Sequence, residues 1–291
     1  MINKNTDFNI QSTLEKLEKR MRISNRAQSS VRSYKRAIKR LYEFHQCDLF
    51  SLEIDQVIDF LCYLQFDKKL NWRTIKIYVA GCRYFYQEIG QNTSLAKQIP
   101  YPKEKPSLPQ IRSRKELQIF FNACSNYKHK VMFRLIYSAG LRRAELVNLK
   151  ITDIETNDDK MRIRINNSKG GKDRYSILSN TILNELRIYF KQCKPKIYLF
   201  NGRFKGEPMS FGGLRFALVA AHKKSGLERK MNMHILRHCF ASHALEDGMN
   251  IKTLQFLLGH QSVLTTMIYL HVSEVPLSKA FSPLDNWKNE V

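Results

Sequence analysis

Four of the eight prolines in this 291-residue chain, Pro100, Pro102, Pro106 and Pro109, fall within ten residues. Proline has no backbone N–H and drives the residue before it out of the helical region. The stretch therefore reads as an extended linker that neither a helix nor a sheet can cross. It predicts a first domain over residues 1–99, a Pro-rich linker at 100–110 and a second domain over 111–291. Two domains also suit the length, at about 100–200 residues per domain.

Before the linker the pattern is helical. Val31, Tyr34, Ile38 and Leu41 recur at helical spacing, while Arg32, Lys35, Arg36, Lys39 and Arg40 occupy other faces. Asp55 is a candidate cap for a second helix running to Gln65. Asn71 is a candidate cap for a third, with Ile75, Val79, Cys82 and Tyr86 as its apolar stripe and Gly90 as its stop. The expectation is a small helical bundle with basic surfaces.

Beyond the linker, Ser113 with Glu116 three residues on reads as a capping box, and helical patterns run to about Lys150. Met161, Ile163 and Ile165 then alternate with Arg162, Arg164 and Asn166, the signature of a half-buried strand. Lys169-Gly170-Gly171-Lys172 supplies a turn and Tyr175–Leu178 the returning strand. Helices are expected over about 181–192, 213–225, 235–246 and 251–258. The predicted fold class is mainly α, with a small antiparallel β-sheet in the second domain.

Hydrophobic residues make up 43% of the chain, enough for packed cores, so a disordered chain is excluded. The formal net charge is +23. It is spread along the chain, with 19 Lys+Arg against 11 Asp+Glu up to Lys105 and 30 against 15 beyond it. A single basic tail does not produce that distribution; contacts to a polyanion from two sides do. The six cysteines form no C-x-x-C pair and read as free thiols in a reducing compartment. No apolar leader and no run of ~20 apolar residues stands out. The expected location is cytoplasmic, with no membrane association.

Chemistry concentrates near the C-terminus, in Met233-His234-Ile235-Leu236-Arg237-His238, then Leu258-Gly259-His260, then Thr265-Thr266-Met267-Ile268-Tyr269. Taken alone, Tyr269 reads as a core aromatic, and His234 and His238, four apart, as buried imidazoles or a zinc pair. The pair lacks the adjacent glutamate of the metalloprotease motif and any evident third ligand, so no metal and no cofactor are expected. Together the residues supply imidazoles, a guanidinium and a phenol. Arg and His suit charge on the non-bridging oxygens of a phosphate, and a tyrosine hydroxyl is a nucleophile able to form a covalent intermediate.

The order H-x-x-R, L-L-G-H and T-T-x-x-Y resembles box II of the tyrosine recombinases, the phage-integrase family, of the Xer or integrase type. Gly140-Leu141-Arg142-Arg143-Ala144-Glu145-Leu146 is similar to the family's box I, and Asn167–Arg174 to its lysine-bearing hairpin. The resemblance covers the chain from about Ser113 onward. It implies a core-binding domain before the linker and a catalytic domain after it, and cleavage and rejoining of DNA through a 3′-phosphotyrosyl intermediate and a Holliday junction.

The roles it implies are Tyr269 as nucleophile, Arg142 and Arg237 as clamp on the phosphate, His260 as a further donor, and His234 as proton acceptor or phosphate ligand. Lys169 is implied as general acid to the leaving 5′ oxygen. Arg143 and Lys172 remain alternatives for Arg142 and Lys169, and Glu145 reads as a structural support. The implied partners are double-stranded DNA carrying recombination sites and further copies of the chain, a tetramer at synapsis; a second recombinase or accessory protein is left open. The tail from about residue 271, with Leu277, Phe281 and Trp287, would dock on a neighbouring subunit. Its Ser282-Pro283-Leu284-Asp285 resembles the end of integron integrases, although their extra insertion is missing here. A nicking and closing enzyme of the type IB topoisomerase kind and a non-catalytic architectural DNA-binding protein are the rival readings.

Overall fold

The computed structural model describes residues 9–103, 108–156, 160–166, 173–204 and 206–270. Lys169, Lys172 and the tail from 271 lie outside the described residues, as do 104–107 in the linker. Contacts divide the chain into two compact units, Met1–Pro106 and Ser107–Val291.

The first unit is helical: α1 (Ile10–Ile23), α2 (Gln28–His45), α3 (Ile54–Cys62), α4 (Trp72–Glu88) and α5 (Thr93–Gln98). Its core is built on α2 against α4. Val31, Ala37, Ile38 and Leu41 of α2 are buried, as are Ile75, Val79, Cys82 and Tyr86 of α4. A Cβ on Gly81 would lie 2.9 Å from the Ala37 Cβ, so a glycine there lets the two helices approach closely. Arg32, Arg36, Lys39 and Arg40 stay exposed on the opposite side of α2.

Two boundaries differ from the sequence reading. The cap of α3 is Glu53, in a box with Gln56, and not Asp55, which sits in the first turn. Beyond Cys62 the chain continues as a π-helical turn, Tyr63–Asp67. Asn71 does cap α4, accepting from the Thr74 N–H, but the left-handed residue after that helix is Gln91 and not Gly90.

The second unit comprises α6 (Arg114–Asn122), α7 (Tyr127–Ala139), α8 (Arg143–Asn148), strands β1 (Ile154–Glu155), β2 (Arg162–Ile165) and β3 (Arg174–Ile177), then α9 (Asn180–Cys193), α10 (Phe211–Ser225), α11 (Met233–Glu246), α12 (Ile251–Leu258) and α13 (Leu264–Met267). The Ser113–Glu116 capping box opens α6. The antiparallel sheet has the order β1-β2-β3, with Ile163 opposite Ser176 and Ile165 opposite Arg174.

Helix α11 runs through the interior. Ile235, Leu236, Cys239, Phe240, Ala241 and Leu245 are buried on several faces, and Arg237 and His243 are buried with them. A helix buried all round lacks a polar stripe, so charged side chains on it are held in the protein. Phe240, Leu254, Leu257, Leu258 and Tyr269 form a smaller cluster that seats α12 and the Tyr269 ring against α11.

Two helix ends meet beside this cluster. Gly140 ends α7 with φ +61° and Gly259 ends α12 with φ +61°. In that conformation an L side chain is strained, and at Gly140 space is also closed: a Cβ would lie 2.4 Å from the Phe240 ring. Gly140→Ala should therefore lower the unfolding free energy by about 2 kcal/mol or more. Urea denaturation checks this; a change within about 0.5 kcal/mol would mean that the α7 terminus and Phe240 are not packed as described.

Candidate active site

The two glycine-ended helices leave backbone carbonyls pointing into a common space, the negative ends of their dipoles. Arginines fill it. Arg237 donates through Nη1 to the Gly140 carbonyl and through Nη2 to the Leu258 carbonyl, the latter at 2.6 Å. Arg142 donates to the Gly259 carbonyl at 3.0 Å, and Arg174 to the Leu257 carbonyl at 2.9 Å. Each guanidinium thus ties a distant element to the end of α7 or α12.

One carboxylate serves all three. Glu145, three residues into the start of α8, accepts from the Arg142 backbone N–H at 2.7 Å and from its Nη1 at 2.8 Å. Arg174 grips both oxygens of the same carboxylate, at 2.7 and 2.9 Å. Arg237 Nη1 lies 3.9 Å from it. The Glu145 and Arg174 side chains are 6% and 5% exposed, so these interactions work in a low-dielectric setting. Burial pushes the Glu145 carboxyl up, but the bonds and charges of Arg174 and Arg142 outweigh it and hold it down at about 2. Burial, together with repulsion from Arg142, lowers Arg237 to about 9 despite Glu145. Three guanidiniums against one carboxylate leave two positive charges in the cluster, a setting suited to a phosphodiester and to the extra charge that grows during its cleavage.

His260 follows Gly259 directly and lies beside Arg237, its Nε2 3.2 Å from Nη2, while its Nδ1 lies 2.9 Å from the Thr266 hydroxyl. A guanidinium only donates, so Nε2 accepts and Nδ1 carries the proton. Burial first, then Arg237 and Arg142, lower this imidazole to about 4, consistent with that neutral form. Tyr269 is 2% exposed. Burial raises its hydroxyl above the ordinary phenol value, opposed by Arg237 and Arg142. The phenol reaches His238, whose Nδ1 is 2.8 Å from the hydroxyl. His234 stands one turn earlier on the exposed start of α11, its ring centroid 6.5 Å from that of His238. Burial first, then Arg237, lower its imidazole.

The structure thus brings Arg142, Arg237, His260 and Tyr269 together, with His234 at the edge through His238; Lys169 lies outside the described residues. Arg143 is exposed and stacks over Phe211, so of the two neighbouring arginines Arg142 is the one in the cluster. Sequence reasoning assigned Arg174 and His238 no role in this site. Strand alternation was a signal for the first, since Arg174 pairs with the inward-facing Ile165. Position four beyond His234 on one helix face was a signal for the second. Among the described residues, no group of three or more His, Cys, Asp or Glu is placed to share a metal ion, and no helix is long and apolar enough to cross a membrane.

The sequence profile of the phage integrase family matches residues 111–275, more than half of the chain, and that of the phage integrase N-terminal SAM-like domain matches residues 13–94. The chain belongs to the phage integrase family. The integrase/recombinase y4qK of Sinorhizobium fredii is 34% identical over 93% of this chain and 88% of its own length. Among solved structures, the XerH site-specific recombinase bound to its difH substrate after cleavage superposes with a TM-score of 0.71, at 22% identity, covering 94% of this chain and 84% of that one. A lambda integrase tetramer bound to a Holliday junction gives 0.70 at 20% identity, covering 90% and 80%. The mainly α fold with its small antiparallel sheet is that of the tyrosine recombinases.

Titration tests the cluster in this family member. A carboxyl held low in the fold contributes stability above its unfolded value, near 4.5, which is lost as pH falls towards about 2. Imidazoles held low contribute above 6.5, and His238 and His260 lose that contribution as pH falls towards about 4. Glu145→Gln should cost about 3–5 kcal/mol at pH 7, because it leaves buried guanidiniums without their counter-charge. The gap to wild type should narrow as pH falls below 4.5. Urea midpoints measured across pH check this, and a gap independent of pH would show that the carboxylate does not hold the cluster.

Proposed function

We propose that the chain is a site-specific recombinase that cuts and rejoins double-stranded DNA at defined sites, with Tyr269 as the nucleophile. The observation that carries the reading is the gathering of two guanidiniums and an imidazole, Arg142, Arg237 and His260, beside a buried phenol. Tyr269 attacks the scissile phosphorus and forms a 3′-phosphotyrosyl bond, releasing a 5′ hydroxyl. Arg142 and Arg237 neutralise the non-bridging oxygens. A guanidinium has five N–H donors, more than the carbonyl bonds of Arg237 use, so it can keep its scaffold contacts while binding phosphate. His260 adds a donor once an anion displaces its contact with Arg237 and its proton shifts from Nδ1 to Nε2, with the Thr266 hydroxyl turning to donate to Nδ1. His234, at the rim, orients the phosphate. Lys169, with Lys172 as the alternative, protonates the leaving oxygen.

The phosphotyrosine stores the energy of the cut bond, so a 5′ hydroxyl from another strand can reverse the step, which permits exchange through a Holliday junction without nucleotide hydrolysis. Residues 1–99 serve as the core-binding domain, residues 100–110 as linker and residues 111–291 as catalytic domain. The exposed arginines and lysines of α2 contact the phosphate backbone of DNA. Exchange requires several copies of the chain on paired sites, a tetramer at synapsis, with the tail from 271 docking between copies. The setting is the cytoplasm, on nucleoid DNA.

A nicked suicide substrate, from which the freed 5′ fragment diffuses away, should accumulate a covalent protein–DNA adduct with wild type and none with Tyr269→Phe, while DNA binding stays within about threefold. Adduct formation by Tyr269→Phe would remove Tyr269 as nucleophile. Relaxation of supercoiled DNA without exchange between paired sites would favour a nicking and closing enzyme.

A further inference from the structure

Tyr269 must lose its proton as it attacks, and burial makes that loss harder. Three imidazoles lie close enough to be considered. Both nitrogens of His260 are engaged, Nε2 with Arg237 and Nδ1 with the Thr266 hydroxyl. His234 is on the exposed first turn of α11, its ring centroid 6.5 Å from that of His238. His238 is in contact: Nδ1 lies 2.8 Å from the Tyr269 hydroxyl, with ring centroids 5.7 Å apart. A phenol is a stronger donor than a neutral imidazole, so the hydroxyl donates and the Nδ1 lone pair accepts.

We infer that His238 is the general base for the nucleophile, a role that rests on Tyr269 being the attacking group. In the forward step the hydroxyl proton moves to His238 Nδ1, the Tyr269 oxygen bonds to phosphorus, and the P–O5′ bond breaks with its electron pair on the leaving oxygen. That oxygen takes a proton from the general acid, so one proton is gained by His238 and one is given up by the acid. In ligation His238 returns its proton to the departing phenolate.

The groups facing the imidazole set when it can act. Burial first, then His234 and Arg237 on its own helix, disfavour the imidazolium, and Tyr269 and His260 face it from the segment beyond α12. In the free protein His238 is therefore neutral near pH 7, with its lone pair available. A bound phosphate anion offsets the Arg237 charge and favours the imidazolium, so proton acceptance is coupled to substrate binding. The contact also fixes the hydroxyl, because the Tyr269 ring is packed among Phe240, Leu254 and Leu258.

Single-turnover cleavage of the suicide substrate between pH 5 and 9 tests the inference. His238→Gln keeps a polar side chain that cannot take up a proton. It should fold and bind DNA, cleave about 100-fold or more slowly than wild type, and lack the fall in rate that wild type shows towards acid pH. His234→Ala should slow cleavage through its phosphate contact yet keep that acid limb. Added imidazoles should rescue His238→Ala at rates that rise with their basicity, and this arm decides the matter if His238→Gln binds DNA poorly. The inference is overturned if His238→Gln cleaves within about threefold of wild type with the same acid limb, if His234→Ala is the variant that loses the limb, or if imidazoles fail to rescue His238→Ala. An adduct formed by Tyr269→Phe would instead overturn the nucleophile assignment, whatever the histidine variants do.

Discussion

Three guanidiniums sharing one buried carboxylate is the arrangement on which the rest of the catalytic unit depends. Glu145 is held ionised by Arg174 and Arg142 with Arg237 nearby. The arginines in turn satisfy carbonyls at the ends of α7 and α12 that no intrahelical partner reaches. Scaffold and site are thus the same bonds. Arg174 turns its guanidinium onto both Glu145 oxygens and the Leu257 carbonyl. It holds Glu145 and the α12 terminus in place so that Arg142 and Arg237 lie where a phosphate would bind. Such networks are costly when one member is missing and specific when all are present.

The surrounding fold serves that placement. Helix α11 is buried on nearly all sides and carries Arg237 and His238 on rigid backbone, against the seat formed by Phe240, Leu257 and Leu258 for Tyr269. Left-handed glycines at 140 and 259 stop α7 and α12 where their carbonyls meet the guanidiniums, and Gly259 approaches Arg174 so closely that a Cβ would lie 2.8 Å from its Cδ. In the first unit the requirement is different. Close packing of α2 on α4 at Gly81 leaves a basic outer face, and none of the described charged residues there is buried as Arg237 and Arg174 are.

Much of this is local and was readable from spacing. The stripe Ile75, Val79, Cys82 and Tyr86, the Ser113–Glu116 box, the alternation through Ile163 and Ile165, and α12 at Ile251–Leu258 follow from periods of 3.6 and 2 and from capping chemistry. What escaped is non-local. Glu53 displaced Asp55 as a cap because Gln56 completes a reciprocal box, a choice between two acids that propensity alone does not make. Arg174 finds its carboxylate 29 residues earlier in the chain, and the His238 contact with Tyr269 spans 31 residues. No periodicity encodes such pairs. Arg142, Arg237, His260 and Tyr269 were legible as a set only through their resemblance to a family pattern, and composition by itself went no further than a basic chain suited to a polyanion.

The proposed chemistry joins the phenol of Tyr269 covalently to DNA at the socket formed by Arg142, Arg237 and His260. The most direct measurement is the covalent bond itself: digest the trapped protein–DNA complex with protease and nuclease, and identify the modified peptide and the DNA end it carries by mass spectrometry. The expected product is a peptide containing Tyr269 joined to a 3′ phosphate, with a free 5′ hydroxyl on the released strand. A linkage through any other residue, or to a 5′ phosphate, would contradict it.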